Sequence, residues 1–206
     1  MQYIFIHGLG QKPSSWDKII SRMDERVQVV YPDLFTIIGD KEIIYANLYR
    51  SFLDYCNSFT EPLNLCGLSL GGVIALNYVI DNPTKVQSLT LIAAQYKMLK
   101  TLLKIQNIIF KIMPGSVFNK MGFKKKDFIA LTNSMADLDF SGRLKDISCP
   151  CLVLCGTKDS ANKKAAKGLA ENIKGAEFHF IENAGHEVNT DNPDKLAELL
   201  NNKIRR

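Results

Sequence analysis

The chain has 206 residues, 46% of them hydrophobic and 23% charged, a length and composition that suit one domain with a core needing neither disulfides nor metal. It has no low-complexity tail, internal repeat or apolar run long enough to span a membrane. The net charge of +5 is local, because residues 97–126 hold eight lysines and no acid, which leaves the remainder at −3 and gives no overall basic character of the kind nucleic-acid binding uses.

The N-terminus runs straight into a strand at Tyr3–Ile6, followed by His7-Gly8-Leu9-Gly10, with no basic leader and no cleavage site. Secretion is therefore not expected, and the odd number of cysteines, five, suits a reducing cytoplasm better than a disulfide framework. A helix is expected over Trp16–Met23, a strand over Val27–Tyr31 and a helix over Lys41–Asn57. The apolar run Leu63–Cys66 comes next and passes into Gly67-Leu68-Ser69-Leu70-Gly71, which opens a helix over Leu70–Asp81. G-x-S-x-G between a strand and a helix marks a sharp, strained turn. It holds the serine hydroxyl up at the end of the sheet, by the positive end of the helix. Asn82-Pro83 stops that helix, and a strand follows over Val86–Ala93.

More than fifty residues separate this strand from the next, far more than a compact crossover needs, so 96–148 reads as an insertion. In its first half Leu99, Leu102, Leu103, Gln106, Ile109, Phe110 and Met113 share one helical face, with Lys97, Lys100, Lys104 and Lys111 opposite. A helical lid with a solvated lysine face is expected, and membrane contact is not required. A strand over Cys151–Cys155, a helix over Lys163–Ile173, a strand over Glu177–Ile181 and a helix over Pro193–Ile204 complete the chain. Cys149, Cys151 and Cys155 lack Cys-x-x-Cys spacing and read as buried small hydrophobes rather than metal ligands. Alternating strands and helices predict an α/β fold: a mostly parallel sheet of about six strands with helices on both faces. The core would comprise 1–95 and 149–206, and a helical cap 96–148.

A serine hydroxyl needs a base, and the base needs an orienting group. Of the three histidines, His179 lies within a strand and His7 ends the first one. His186 alone lies in a loop just beyond a strand, in Asn183-Ala184-Gly185-His186-Glu187. Asp159 follows the Cys151–Cys155 strand in Gly156-Thr157-Lys158-Asp159, whereas the preceding strand ends in Ala93-Ala94-Gln95 and offers no carboxylate. The catalytic candidates are thus Ser69, Asp159 and His186, in that chain order.

Together with His7-Gly8, Trp16, Pro32-Asp33, Gly67 to Gly72 and Gly185-His186, this order resembles the α/β-hydrolase superfamily almost end to end. The resemblance implies a serine hydrolase with Leu9 and Leu70 as backbone oxyanion donors and His7 in a structural role. It also implies that the family's usual first two strands are absent, since the chain begins at the His-Gly strand. The expected activity is hydrolysis of a small carboxylic ester with an apolar acyl group, with no metal or organic cofactor and no nucleic-acid partner. The same triad also serves carbon–carbon bond hydrolysis, acyl transfer and lyase reactions in the superfamily, and the fold also serves non-catalytic receptors. Oligomeric state is left open.

Overall fold

A computed structural model describes residues 1–98, 110, 112–120 and 124–204. Its centre is one sheet of six strands, β1 (Gln2–Ile6), β2 (Gln28–Val30), β3 (Leu63–Leu68), β4 (Val86–Ile92), β5 (Cys151–Gly156) and β6 (Glu177–Ile181). All pairs are parallel, in the order β2-β1-β3-β4-β5-β6. Parallel strands need crossovers, and the crossovers cover both faces.

The two-residue side-chain period divides the core in two. Ile4, Ile6, Leu63, Leu65, Val153 and Cys155 face α3 (Tyr45–Asn57), α4 (Leu70–Asp81) and α7 (Lys163–Asn172). Tyr3, Phe5, Cys66, Leu68, Leu152 and Leu154 face α1 (Asp17–Ile20), α8 (Val188–Asp191) and α9 (Pro193–Ile204). Two short helices complete the first side: α2 (Leu34–Ile37) and α6 (Lys125–Ser134). Between β4 and α6 lies α5 (Gly115–Lys120). All five cysteines are free and buried.

Local physics accounts for the differences from the expected element bounds. The helix expected from Lys41 starts at Tyr45 because the Tyr45 N–H donates to Ser134 Oγ (2.8 Å), a cap supplied by α6 from across the fold. The first helix is broken into a 3-10 turn over Pro13–Trp16 and the four residues of α1. Asp33 caps the unforeseen α2 by accepting from Phe35 and Thr36 N–H at 2.9 and 3.2 Å.

The 96–148 segment is tied at its two ends. Phe140 N–H donates to Tyr96 O (2.8 Å), Met98 N–H to Leu138 O (3.0 Å), and Lys97 pairs with Asp139 at 2.7 Å. Beyond that tie, Phe140, Leu144 and Ile147 join the main core with Leu131 and Met135. Most of the amphipathic face expected over 99–113, with Lys100, Lys104 and Lys111, lies outside the described residues. Among the described residues no helix is long and apolar enough to cross a membrane.

Candidate active site

The strand order 2-1-3 places the loops after β1 and β3 at the switch point of the sheet, where the chain leaves toward opposite sides. Ser69 sits there, directly after β3, with φ 53° and ψ −114°, a conformation that non-glycine residues seldom adopt. The turn is enforced by close approach. A Cβ on Gly71 would lie 2.2 Å from the Ile6 carbonyl oxygen, so only glycine lets the first turn of α4 meet the end of β1. Ser69 N–H is held by Ile92 O at 2.9 Å, and Val73 N–H closes the helix onto Ser69 O at 3.0 Å.

Three loops then converge. Ser69 Oγ lies 2.9 Å from His186 Nε2, and His186 Nδ1 lies 2.9 Å from Asp159 Oδ2. The Asp159 carboxylate accepts only, so Nδ1 carries the proton and Nε2 is left to accept from Ser69. Asp159 is buried, while the His186 side chain is 44% exposed. Burial pushes the Asp159 carboxyl up, but hydrogen bonds from His186 and Asn162 outweigh it and hold the group below its ordinary range.

The structure brings together all three residues singled out for proton transfer; Leu70 directly follows Ser69, and Gly8, just before Leu9, approaches it so closely that a Cβ there would lie 3.5 Å from Ser69 Cβ. Leu70 begins α4, so its N–H has no intrahelical acceptor. Neither amide donates a hydrogen bond among the described residues. The Leu9 loop is pinned from below: Gln11 N–H donates to Gly8 O (3.2 Å) and Gly8 N–H to Gln11 Oε1 (3.3 Å). Gln11 and the fully buried Asn189 then exchange amide hydrogen bonds of 3.1 and 3.2 Å. Because α8 carries Asn189 just after His186, this pair links the His186 loop to the Leu9 loop.

His7 and His179 stand apart from this group. His179 is on edge strand β6, 3.8 Å from Glu177. His7 is fully buried; its Nδ1 donates to Gly8 O (2.9 Å), and its Nε2 accepts from Leu34 N–H (3.1 Å). The second bond needs the neutral ring, and burial lowers the His7 pKa from its ordinary 6.5 despite the opposing effects of Gly8 O and Asp33. Below that value the unfolded chain binds a proton that the folded chain refuses, so His7 makes stability fall as pH falls. The expected result is a Tm that drops less between pH 7.5 and 5 in His7→Gln than in the unaltered protein. Equal drops in thermal melts of the two would remove this role.

Gln11, Gln95, Asn162 and Asn189 contact this site but carry no signal in the sequence, except that Asn162 falls three residues after Asp159, the spacing of a local Asx contact. An apolar cluster of Phe118 and Phe128, with Phe110 and Met113, packs against Leu9 and Phe35. Among the described residues no group of His, Cys, Asp and Glu could hold a metal ion.

Comparison with known proteins agrees with this architecture. A model of the alpha/beta hydrolase family matches residues 3–199. Monoacylglycerol lipase abhd6-B of Xenopus laevis is 22% identical, over 96% of this chain and 73% of its own. The 2-hydroxy-6-oxononadienedioate/2-hydroxy-6-oxononatrienedioate hydrolase of Klebsiella pneumoniae is also 22% identical, over 98% of this chain and 86% of its own. Among solved structures, a thermophilic esterase from Thermogutta terrifontis superposes with a TM-score of 0.83 at 18% identity, covering 100% of this chain and 89% of the other.

Proposed function

The chain belongs to the alpha/beta hydrolase family, and from that premise we propose that it cleaves carboxylic esters through an acyl-enzyme on Ser69. The observation that carries the reading is the continuous line from Ser69 Oγ through His186 to Asp159, two contacts of 2.9 Å, reached from a strained turn. Ser69 Oγ attacks the ester carbonyl and passes its proton to His186 Nε2. The negative oxygen forms within reach of the Leu9 and Leu70 amides, and Asp159 stabilises the imidazolium. Collapse expels the alcohol, which takes the proton from Nε2. Water, deprotonated by His186, then releases the carboxylic acid and restores Ser69.

Residues 96–148 act as a lid in this reading. The Phe118 and Phe128 cluster against Leu9 offers an apolar wall beside one oxyanion donor, which favours an apolar acyl group. The named activities of the relatives, monoacylglycerol lipase and esterase, agree with an ester substrate. The buried, unpaired cysteines suit a reducing compartment such as the cytoplasm.

The test is a series of p-nitrophenyl esters of increasing acyl length, run beside labelling by a fluorophosphonate. Turnover should rise from acetate to longer apolar acyl groups. Labelling without turnover of any ester would sink the ester reading. It would favour a carbon–carbon bond hydrolase, an acyl transferase or a lyase with the same residues.

A further inference from the structure

Asp159 is gripped by a second partner beside His186. The amide nitrogen of Asn162 straddles the carboxylate, 2.9 Å from Oδ1 and 2.9 Å from Oδ2. Asn162 is itself buried, and its Oδ1 accepts from Gln95 Nε2 at 2.7 Å. Gln95 comes from the loop after β4, beyond Ala93, which has φ 49°. Two side-chain amides therefore connect the β4 loop to the Asp159 carboxylate, the Gln95–Asn162 link spanning a sequence separation of 67 residues.

The orientation of both amides follows from the chemistry. Ionised Asp159 can only accept, so Asn162 must present its NH2 to it, which turns the Asn162 carbonyl toward Gln95 and makes Gln95 the donor. The 3.1 Å approach of Asn162 Nδ2 to His186 Nδ1 is then a contact between two donors, because Nδ1–H already points at Asp159. Asn162 thus does two things to the Asp159–His186 pair. It stabilises the carboxylate, and it sets a partial positive charge beside the ring nitrogen.

Resting on the triad reading above, we propose that Asn162 and Gln95 are positioning residues: a two-amide bridge from the β4 loop that orients Asp159 against His186 for the proton transfers at Ser69. Neither touches the reacting atoms. Gln95 acts through Asn162 by denying it the flipped orientation, in which a carbonyl oxygen would face the carboxylate.

The bridge leaves a signature in pH dependence. Removing a donor makes the carboxylate more basic and relieves the ring of a like-signed neighbour, and both changes let the pair take up its proton at higher pH. The other charged groups nearby are Lys158 beside Asp159, Lys163 opening α7, Glu187 beside His186 and Asp191 of α8, which accepts from Gly185 N–H. Among the described residues none of these four bonds to Asp159, His186 or Asn162.

The experiment is the rate of fluorophosphonate labelling from pH 5 to 9 for the unaltered protein, Asn162→Ala, Gln95→Met and Gln95→Glu. Asn162→Ala should label about tenfold more slowly at its optimum, with the low-pH limb moved up by roughly 0.5–1 unit. Gln95→Met, similar in shape but without a donor, should show a smaller loss. Gln95→Glu should be worse than Gln95→Met, because a carboxylate facing Asn162 Oδ1 drives the amide to flip. A purely structural role lowers rates at every pH without moving the limb. An unmoved limb in folded Asn162→Ala, or Gln95→Glu no worse than Gln95→Met, overturns the proposal. The Gln95 comparison decides if Asn162→Ala does not fold. Failure of the unaltered protein to label overturns the triad reading along with it, an outcome distinct from those two.

Discussion

Ser69→Ala, His186→Ala and the double variant are expected to lose ester turnover by nearly the same factor, about 10⁴–10⁶ in kcat, with KM little changed. Ser69 Oγ and His186 Nε2 are two ends of one 2.9 Å hydrogen bond, so either change removes the same proton transfer. What survives should come from the Leu9 and Leu70 amides and from substrate binding, which these substitutions leave in place. Steady-state kinetics on the best p-nitrophenyl ester, with purified and demonstrably folded variants, decides the matter. A double variant whose loss equals the product of the single losses would mean that the two residues act separately, and the triad reading would fall. Ser69→Ala retaining more than about 1% of turnover would do the same.

The second large effect belongs to a residue with no chemistry. Gly156→Ala is expected to destabilise the fold by about 3 kcal/mol or more. A Cβ there would lie 2.2 Å from Gly185 O and 2.3 Å from Ala184 O, and both atoms are backbone. These carbonyls belong to the loop that carries His186, and Lys158 N–H donates to Ala184 O at 2.9 Å. To admit the methyl group, that loop must move by most of an ångström and weaken this tie. Even the folded fraction should then turn over about 10²-fold more slowly, because a shift of that size removes Nε2 from Ser69 Oγ. Gly142→Ala is the control: a Cβ there meets nothing within 4 Å, and its stability should change by less than about 0.5 kcal/mol. Urea midpoints for the two variants make the comparison, and equal midpoints would refute the steric account.

The sheet and the three convergent residues are legible in the sequence because each is written locally. The apolar runs at Leu63–Leu68 and Cys151–Gly156 are buried on both faces, so their composition alone marks them as central strands. Ser69, Asp159 and His186 each follow a strand, and in a parallel sheet every such loop opens on the same edge. The amides around them are another matter. Gln11 and Asn189 meet across 178 residues, and Gln95 meets Asn162 across 67. No periodicity or turn signal marks one amide among many as the partner of another so distant. Ser134 is illegible for the same reason: only the folded chain shows that its hydroxyl caps Tyr45 and so decides where α3 begins. The insertion gives its length in the sequence, but not that Phe140, Leu144 and Ile147 return to the main core.

Ten of the twelve residues of α4 are buried, although the helix begins at the candidate nucleophile. A helix enclosed by the sheet on one side and by α3 and the 141–146 turn on the other has no cheap way to fray. Its amides are expected to exchange with solvent only when the whole domain opens. The φ of Ser69 is therefore not relaxed by small fluctuations, and the strain at that residue is released only on global unfolding. Loss of activity on heating would then follow the unfolding curve itself, with no inactive but folded species preceding it.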